Sequence, residues 1–161
     1  MLKSATHIFF IIFLFGLIFG APVPAQDRFI DNGNGTVTDS RLGVMWAQTD
    51  NQNDIFWKQA NKWIQGSFAG SLDRKYGNWR LPTIVELQSL YREDPDYQGY
   101  QAACGYVVKM VPQITISCIL VWSSDTALGL PLAFNYYLGN ALTVDLYENT
   151  GCRVLAVRNV K

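Results

Sequence analysis

Asp125 and Asp145 are the two carboxylates that a catalytic reading would pair, with one acting as acid and the other as base. That chemistry requires the fold to bring them within about 10 Å. Cys152 is the other catalytic candidate, as a nucleophile or a metal ligand. The one histidine of the chain is His7, which lies in an N-terminal segment expected to be removed. Without an imidazole there can be no Ser-His-Asp triad, no Cys-His dyad and no histidine metal site. Cys104, Cys118 and Cys152 show no C-x-x-C spacing, so they make a poor zinc set. The residues therefore argue against an enzyme and for a binding module. Carbohydrate sites use amides, carboxylates and aromatic faces, and Asp125, Asn135, Tyr137 and Asn140 cluster around a late hairpin. A third reading is an assembly subunit of the cell envelope, with Tyr97, Tyr100 and Tyr106 forming a protein interface.

No cofactor is expected, and calcium is the one ion to consider. Residues 31–39 read D-N-G-N-G-T-V-T-D, yet the third and fifth positions are Gly33 and Gly35, where a calcium loop needs oxygen side chains. Repeated Asn-Gly between Phe29-Ile30 and Thr36-Val37-Thr38 instead marks a hairpin turn. Asp94-Pro95-Asp96 lacks the amide or Glu partner of a lectin calcium loop, and Trp122-Ser123-Ser124-Asp125 only loosely matches a lectin W-N-D strand.

Compartment follows from the N-terminus. Lys3 precedes an unbroken apolar run from Ile8 to Phe19, and Val23-Pro24-Ala25 supplies small residues for cleavage after Ala25. This is a signal-peptide pattern, and the run is too short to span a bilayer well. The expected organisation is a signal peptide over 1–25 and one domain over 26–161, secreted or periplasmic, with no stable membrane span after cleavage. In such a compartment two cysteines should pair. Cys104 and Cys118 close a loop worth roughly 3 kcal/mol and are favoured, leaving Cys152 as a buried thiol; pairing of Cys152 with either remains open. Removing Lys3 from 13 basic residues leaves 12 against 13 acidic ones, net −1. The cations are scattered, so no basic face for nucleic acid or sulfated polysaccharide is legible. The oligomeric state is open, with a homo-oligomer among the options.

The elements that must position these residues centre on Trp79 to Tyr91, W-R-L-P-T-I-V-E-L-Q-S-L-Y. Trp79 and Leu81 alternate with Arg80 as in a strand, Pro82 ends it, and Thr83 with Glu86 forms a capping box. Ile84, Leu87, Leu90 and Tyr91 then share a helical face. Upstream, Leu42, Val44 and Trp46 alternate in a strand, Asn53 or Asp54 caps a helix carrying Phe56, Trp57, Ala60, Trp63 and Ile64, and 66–77 reads as a Gly-broken loop with Arg74-Lys75 facing solvent. Downstream, Glu93 to Tyr100 is a loop, Val107-Val108 and Ile114 to Ile116 are short strands, and Ile119 to Trp122 is a buried strand followed by capping serines. Residues 133–138 and 141–146 flank Gly139-Asn140 as a hairpin, and 153–158 is one last strand. The result is an α+β domain with two helices and a mixed, mostly antiparallel sheet.

Taken in order, D-N-G-N-G-T-V-T-D (31–39), L-G-V-M-W (42–46), G-N-W-R-L-P-T-I-V-E-L (77–87), W-S-S-D (122–125) and R-V-L-A-V-R (153–158) resemble the Lcl C-terminal domain family. The likeness covers about residues 29–158. It implies a C-type-lectin-like fold, export from a bacterial cell, and adhesion through glycans such as glycosaminoglycans.

Overall fold

The computed structural model describes residues 27–71 and 76–160, so the expected signal peptide over 1–25 and Arg74-Lys75 lie outside the described residues. The first sheet opens with the Asn-Gly hairpin: β1 (Phe29–Asp31) pairs antiparallel with β2 (Thr36–Asp39), and β2 with β3 (Val44–Ala47). All four β3 residues are buried; β3 lies inside the sheet with β2 on one side and a later strand on the other, and Arg80 extends that side by a backbone bridge to Val157. The first helical rod is α1 (Trp57–Trp63), a π-helical stretch over Ile64–Phe68 and α2 (Ala69–Ser71). Its start is not capped by Asn53 or Asp54; Phe56 takes the cap position with no side-chain bond, while Asp54 is engaged elsewhere. The rod also runs on through Gly66 and Gly70, where glycine predicted a loop. Phe68 is buried there, stacked 5.5 Å from Trp63 and edge-on 4.8 Å from Trp79, and that packing outweighs about 1 kcal/mol of glycine helix penalty.

The Trp79–Tyr91 block folds in part as its residues predict: the strand is reduced to a bridge at Arg80, and the helix ends at Gln88, so Leu90 and Tyr91 lie beyond it and Tyr91 bridges Met110. Trp79 and Leu81 are buried and Arg80 bridges Val157. α3 (Ile84–Gln88) starts with the full capping box: Glu86 N–H donates to Thr83 Oγ1, and Thr83 N–H donates to Glu86 Oε2. Leu87 and Leu90 are fully buried. The short ribbon of β4 (Tyr100–Gln101) and β5 (Val107–Val108) follows, and Ile114 to Ile116 contributes only an isolated bridge from Thr115 to Thr49.

The second large sheet is ordered β8-β7-β6-β9. β6 (Leu120–Ala127) runs through Ser123 to Asp125 rather than ending there, with a bulge between Trp122 and Thr126. The Ser123 hydroxyl donates to Leu132 O across that bulge. β6 turns at Leu128-Gly129 into β7 (Leu130–Asn135), which pairs with β8 (Asn140–Thr143). The expected last strand is two: β9 (Cys152–Arg153) lies parallel to β6, and β10 (Val157–Asn159) pairs with β3. Residues 154–156, all fully buried, carry the chain from one sheet to the other. Trp46, Trp79, Trp122, Phe134 and Tyr136 fill the shared core.

Candidate functional site

The four residues chosen from sequence do not form one cluster. Leu120, Asn135 and Asn140 lie in register across the sheet, whereas Asp125 sits toward the other end of β6, roughly 15 Å along the strand. Asp125 Oδ2 accepts from Ile84 N–H at 2.7 Å, so its carboxylate serves the start of α3. Asn135 is buried, and its Oδ1 accepts from Tyr137 N–H and Leu138 N–H at 2.9 and 3.0 Å; it builds the turn. Asn140 is exposed at the start of β8. Asp145 lies beyond β8, separated from β6 by β7, and its Oδ1 accepts from Tyr147 N–H.

Tyr137 is the sequence candidate that the turn presents outward, 52% exposed. Gly139 fixes it there: a side chain at this position would meet the Tyr91 ring at 2.5 Å, and the φ of +76° suits glycine. The Tyr137 ring packs edge-to-face on Tyr106, centroids 5.9 Å apart, and Tyr106 is equally exposed. Tyr106 in turn is held by the loop that the Cys104–Cys118 disulfide closes, with Tyr106 O accepting from Ala102 N–H. Tyr97 and Tyr100 are not surface partners of Tyr106. Tyr97 donates its hydroxyl to Met110 O at 2.7 Å, and Tyr100 accepts from Ile116 N–H at 2.6 Å. Burial pushes the Tyr100 phenol up to about 12.

Tyr106 forms one wall of a cleft of about 360 Å³, which Cys104, Cys118, Ile119, Asp54, Thr150 and Arg153 complete. Arg153 is 8% exposed. Its Nε donates to Ser117 Oγ at 2.7 Å and lies 3.9 Å from Asp50 Oδ2, while Nη1 donates to Asp54 Oδ1. Asp50 Oδ2 also accepts from Ser117 N–H at 2.7 Å. Burial drives the Asp50 carboxyl above its usual value, against the pull of these donors. Cys152 is the free, buried thiol expected, pushed up to about 12 by burial and then by the charges of Glu148 and Asp54. A thiol so placed is a poor nucleophile. Nothing local in sequence could have exposed the Asp54–Arg153 pair, since its members stand 99 residues apart.

A second, larger groove of about 610 Å³ brings together Arg28, Arg41 and Arg92, cations that looked scattered. It is not a basic site. Arg28 is saturated by Asp39 and Ser89, Arg92 faces Asp94 at 3.5 Å, and Glu93 shares the groove. Among the described residues no three His, Cys, Asp or Glu side chains gather to hold a metal ion.

With this geometry in hand, comparison with known families is decisive on one point. The model of the Lcl C-terminal domain matches residues 35–158. The chain belongs to the Lcl C-terminal domain family. The match runs from the turn of the first hairpin into β10, so all of the second sheet, the first sheet without β1, and the Tyr106–Tyr137 ledge of this Lcl domain fall inside it. No curated protein and no solved structure matches the chain.

Proposed function

We propose that this Lcl domain is an exported, non-enzymatic binding module that recognises a glycan or another cell-surface ligand on a C-type-lectin-like scaffold. The observation that carries this reading is the exposed Tyr106–Tyr137 pair beside a largely apolar cleft that also presents Asp54 and Arg153. Two aromatic faces held by a disulfide loop and a glycine-pinned turn lose little freedom on binding, which is how rigid sites gain affinity. Export is supported by the leader pattern of residues 1–25 and by the Cys104–Cys118 disulfide, a bond typical of oxidising compartments. Against catalysis stand the backbone duties of Asp125 and Asp145 and the buried, neutral Cys152.

The test is a binding screen against neutral and sulfated glycans, run with calcium and with a chelator. Tyr137→Ala should weaken any hit roughly tenfold, the worth of one stacking contact. A hit that the Tyr106→Ala, Tyr137→Ala double variant leaves unchanged would move the site elsewhere. The second reading, an envelope assembly subunit, draws on Val107 and Leu138, exposed at 41% and 61% next to the tyrosines. A pull-down from the envelope fraction, lost in Leu138→Asp, would favour it.

A further inference from the structure

We infer that the cleft beside Tyr106 takes an uncharged sugar ring and grips two adjacent hydroxyls between Arg153 and Asp54, without a metal ion. The inference rests on the reading of this surface as a glycan site and names the ligand class.

The argument starts from hydrogen-bonding capacity left over. Arg153 Nε and Nη1 are engaged by Ser117, Asp54 and the Cys152 carbonyl. Its Nη2 takes no partner among the described residues, although the side chain is nine-tenths buried and lines the cleft. Asp54 Oδ1 accepts from both Arg153 and Gly151 N–H, while Oδ2 is free. A fixed donor therefore stands next to a fixed acceptor, and a charged donor left open to the cleft can bond a ligand oxygen in place of water. Neighbouring sugar hydroxyls offer an acceptor to one and a donor to the other. The remaining walls are the Tyr106 ring, Ile119 and the disulfide, which suit the C–H face of a pyranose.

Charge selects against anions. The single guanidinium is balanced by Asp54 and by Asp50 at 3.9 Å, and Glu148 adds a third carboxylate at the Gly151 turn. A sulfate or uronate entering here meets net negative charge.

Isothermal titration of the protein with neutral and sulfated disaccharides, at low and high salt and with calcium or chelator, tests the inference. Neutral sugars should bind with little dependence on salt or chelator. Asp54→Asn should weaken binding roughly tenfold or more, because its Oδ1 can keep both structural bonds while the second position turns from acceptor to donor. Its thermal midpoint should stay near wild type, which separates lost binding from lost folding. Tyr106→Phe should bind normally and Tyr106→Ala should not. Binding restricted to sulfated sugars, loss of binding in chelator, or an Asp54→Asn variant that binds as wild type while Tyr106→Ala does not would each overturn the inference and leave the glycan-site reading standing. If no sugar of either kind binds, both fall.

Discussion

Two arginine–carboxylate assemblies hold this domain, and they end differently. At the start of α3, Arg80 forms a two-pronged pair with Glu86 and spends its other bonds on Leu81 O and Asn159. Glu86 Oε2 accepts from Thr83 as well, so the assembly closes on itself. Under the Tyr106 cleft, Arg153 pairs with Asp50 and Asp54 and still keeps one nitrogen free. Each guanidinium keeps one nitrogen without a partner among the described residues, Nε in Arg80 and Nη2 in Arg153, so the lesson lies in place: only the Arg153 pair lines a cleft, and that makes it the candidate site. Burial sharpens the contrast: Arg153 is almost fully enclosed, whereas Arg80 is 38% exposed.

The largest effect that can break this comparison is removal of the buried partner. Arg153→Ala should cost about 3–5 kcal/mol in urea denaturation, since it empties a nine-tenths-buried position and leaves the buried Asp50 carboxylate with the Ser117 and Gln52 donors but no cation. A cost near that of a surface residue would mean that the assembly is not the anchor described. Next, Cys104→Ala with Cys118→Ala should cost roughly 3 kcal/mol for a loop of this length, and should weaken binding because Tyr106 loses its tether. Glu86→Ala should cost about 0.5–2 kcal/mol by opening the capping box, with binding unchanged. If binding falls too, the scaffold and the site are not separable.

The two assemblies should also answer pH in opposite directions. Burial raises the Glu86 carboxyl, but the Arg80 guanidinium and Thr83 N–H outweigh it and hold the group below its usual 4.5. Its contribution is present above that value and is lost as pH falls through the folded value. Asp50 is held above its usual 3.8, so the contribution from its protonated form is present below that value and is lost as pH rises through the folded one. Denaturation of Glu86→Gln and Asp50→Asn across the acid range should therefore remove slopes of opposite sign. At the alkaline end, the Cys152 thiol titrates from 9.0 in the unfolded chain and about 12 in the fold, so stability falls above pH 9, and Cys152→Ala should flatten that limb. The smallest stability effect belongs to Tyr137→Ala, within about 0.5 kcal/mol, because half of the ring already faces water.

What the sequence made legible follows the range of the interactions. The Thr83–Glu86 box and the Asn-Gly hairpin act over three to five residues, and both formed as expected. The Cys104–Cys118 bond followed from loop closure, and Cys152 was left buried. Where a distant neighbour decides, the local signal failed. Gly66 and Gly70 stay helical because Phe68 packs on Trp79. Asp125 is taken up by an amide of α3, and Leu128-Gly129 makes a turn at positive φ that a leucine does not advertise. The candidate site shows the same split. Tyr137 was visible as an aromatic on a hairpin, but Asp54 and Arg153 meet only after the last strands are in place.

That order of assembly has a consequence for how the protein is made. β9 and β10 give one edge strand to each four-stranded sheet, and both come from residues 152–159. A polypeptide emerging amino end first can complete neither sheet until residues 152–159 have arrived. The two sheets are therefore finished together, by one eight-residue stretch, however early their other strands have paired.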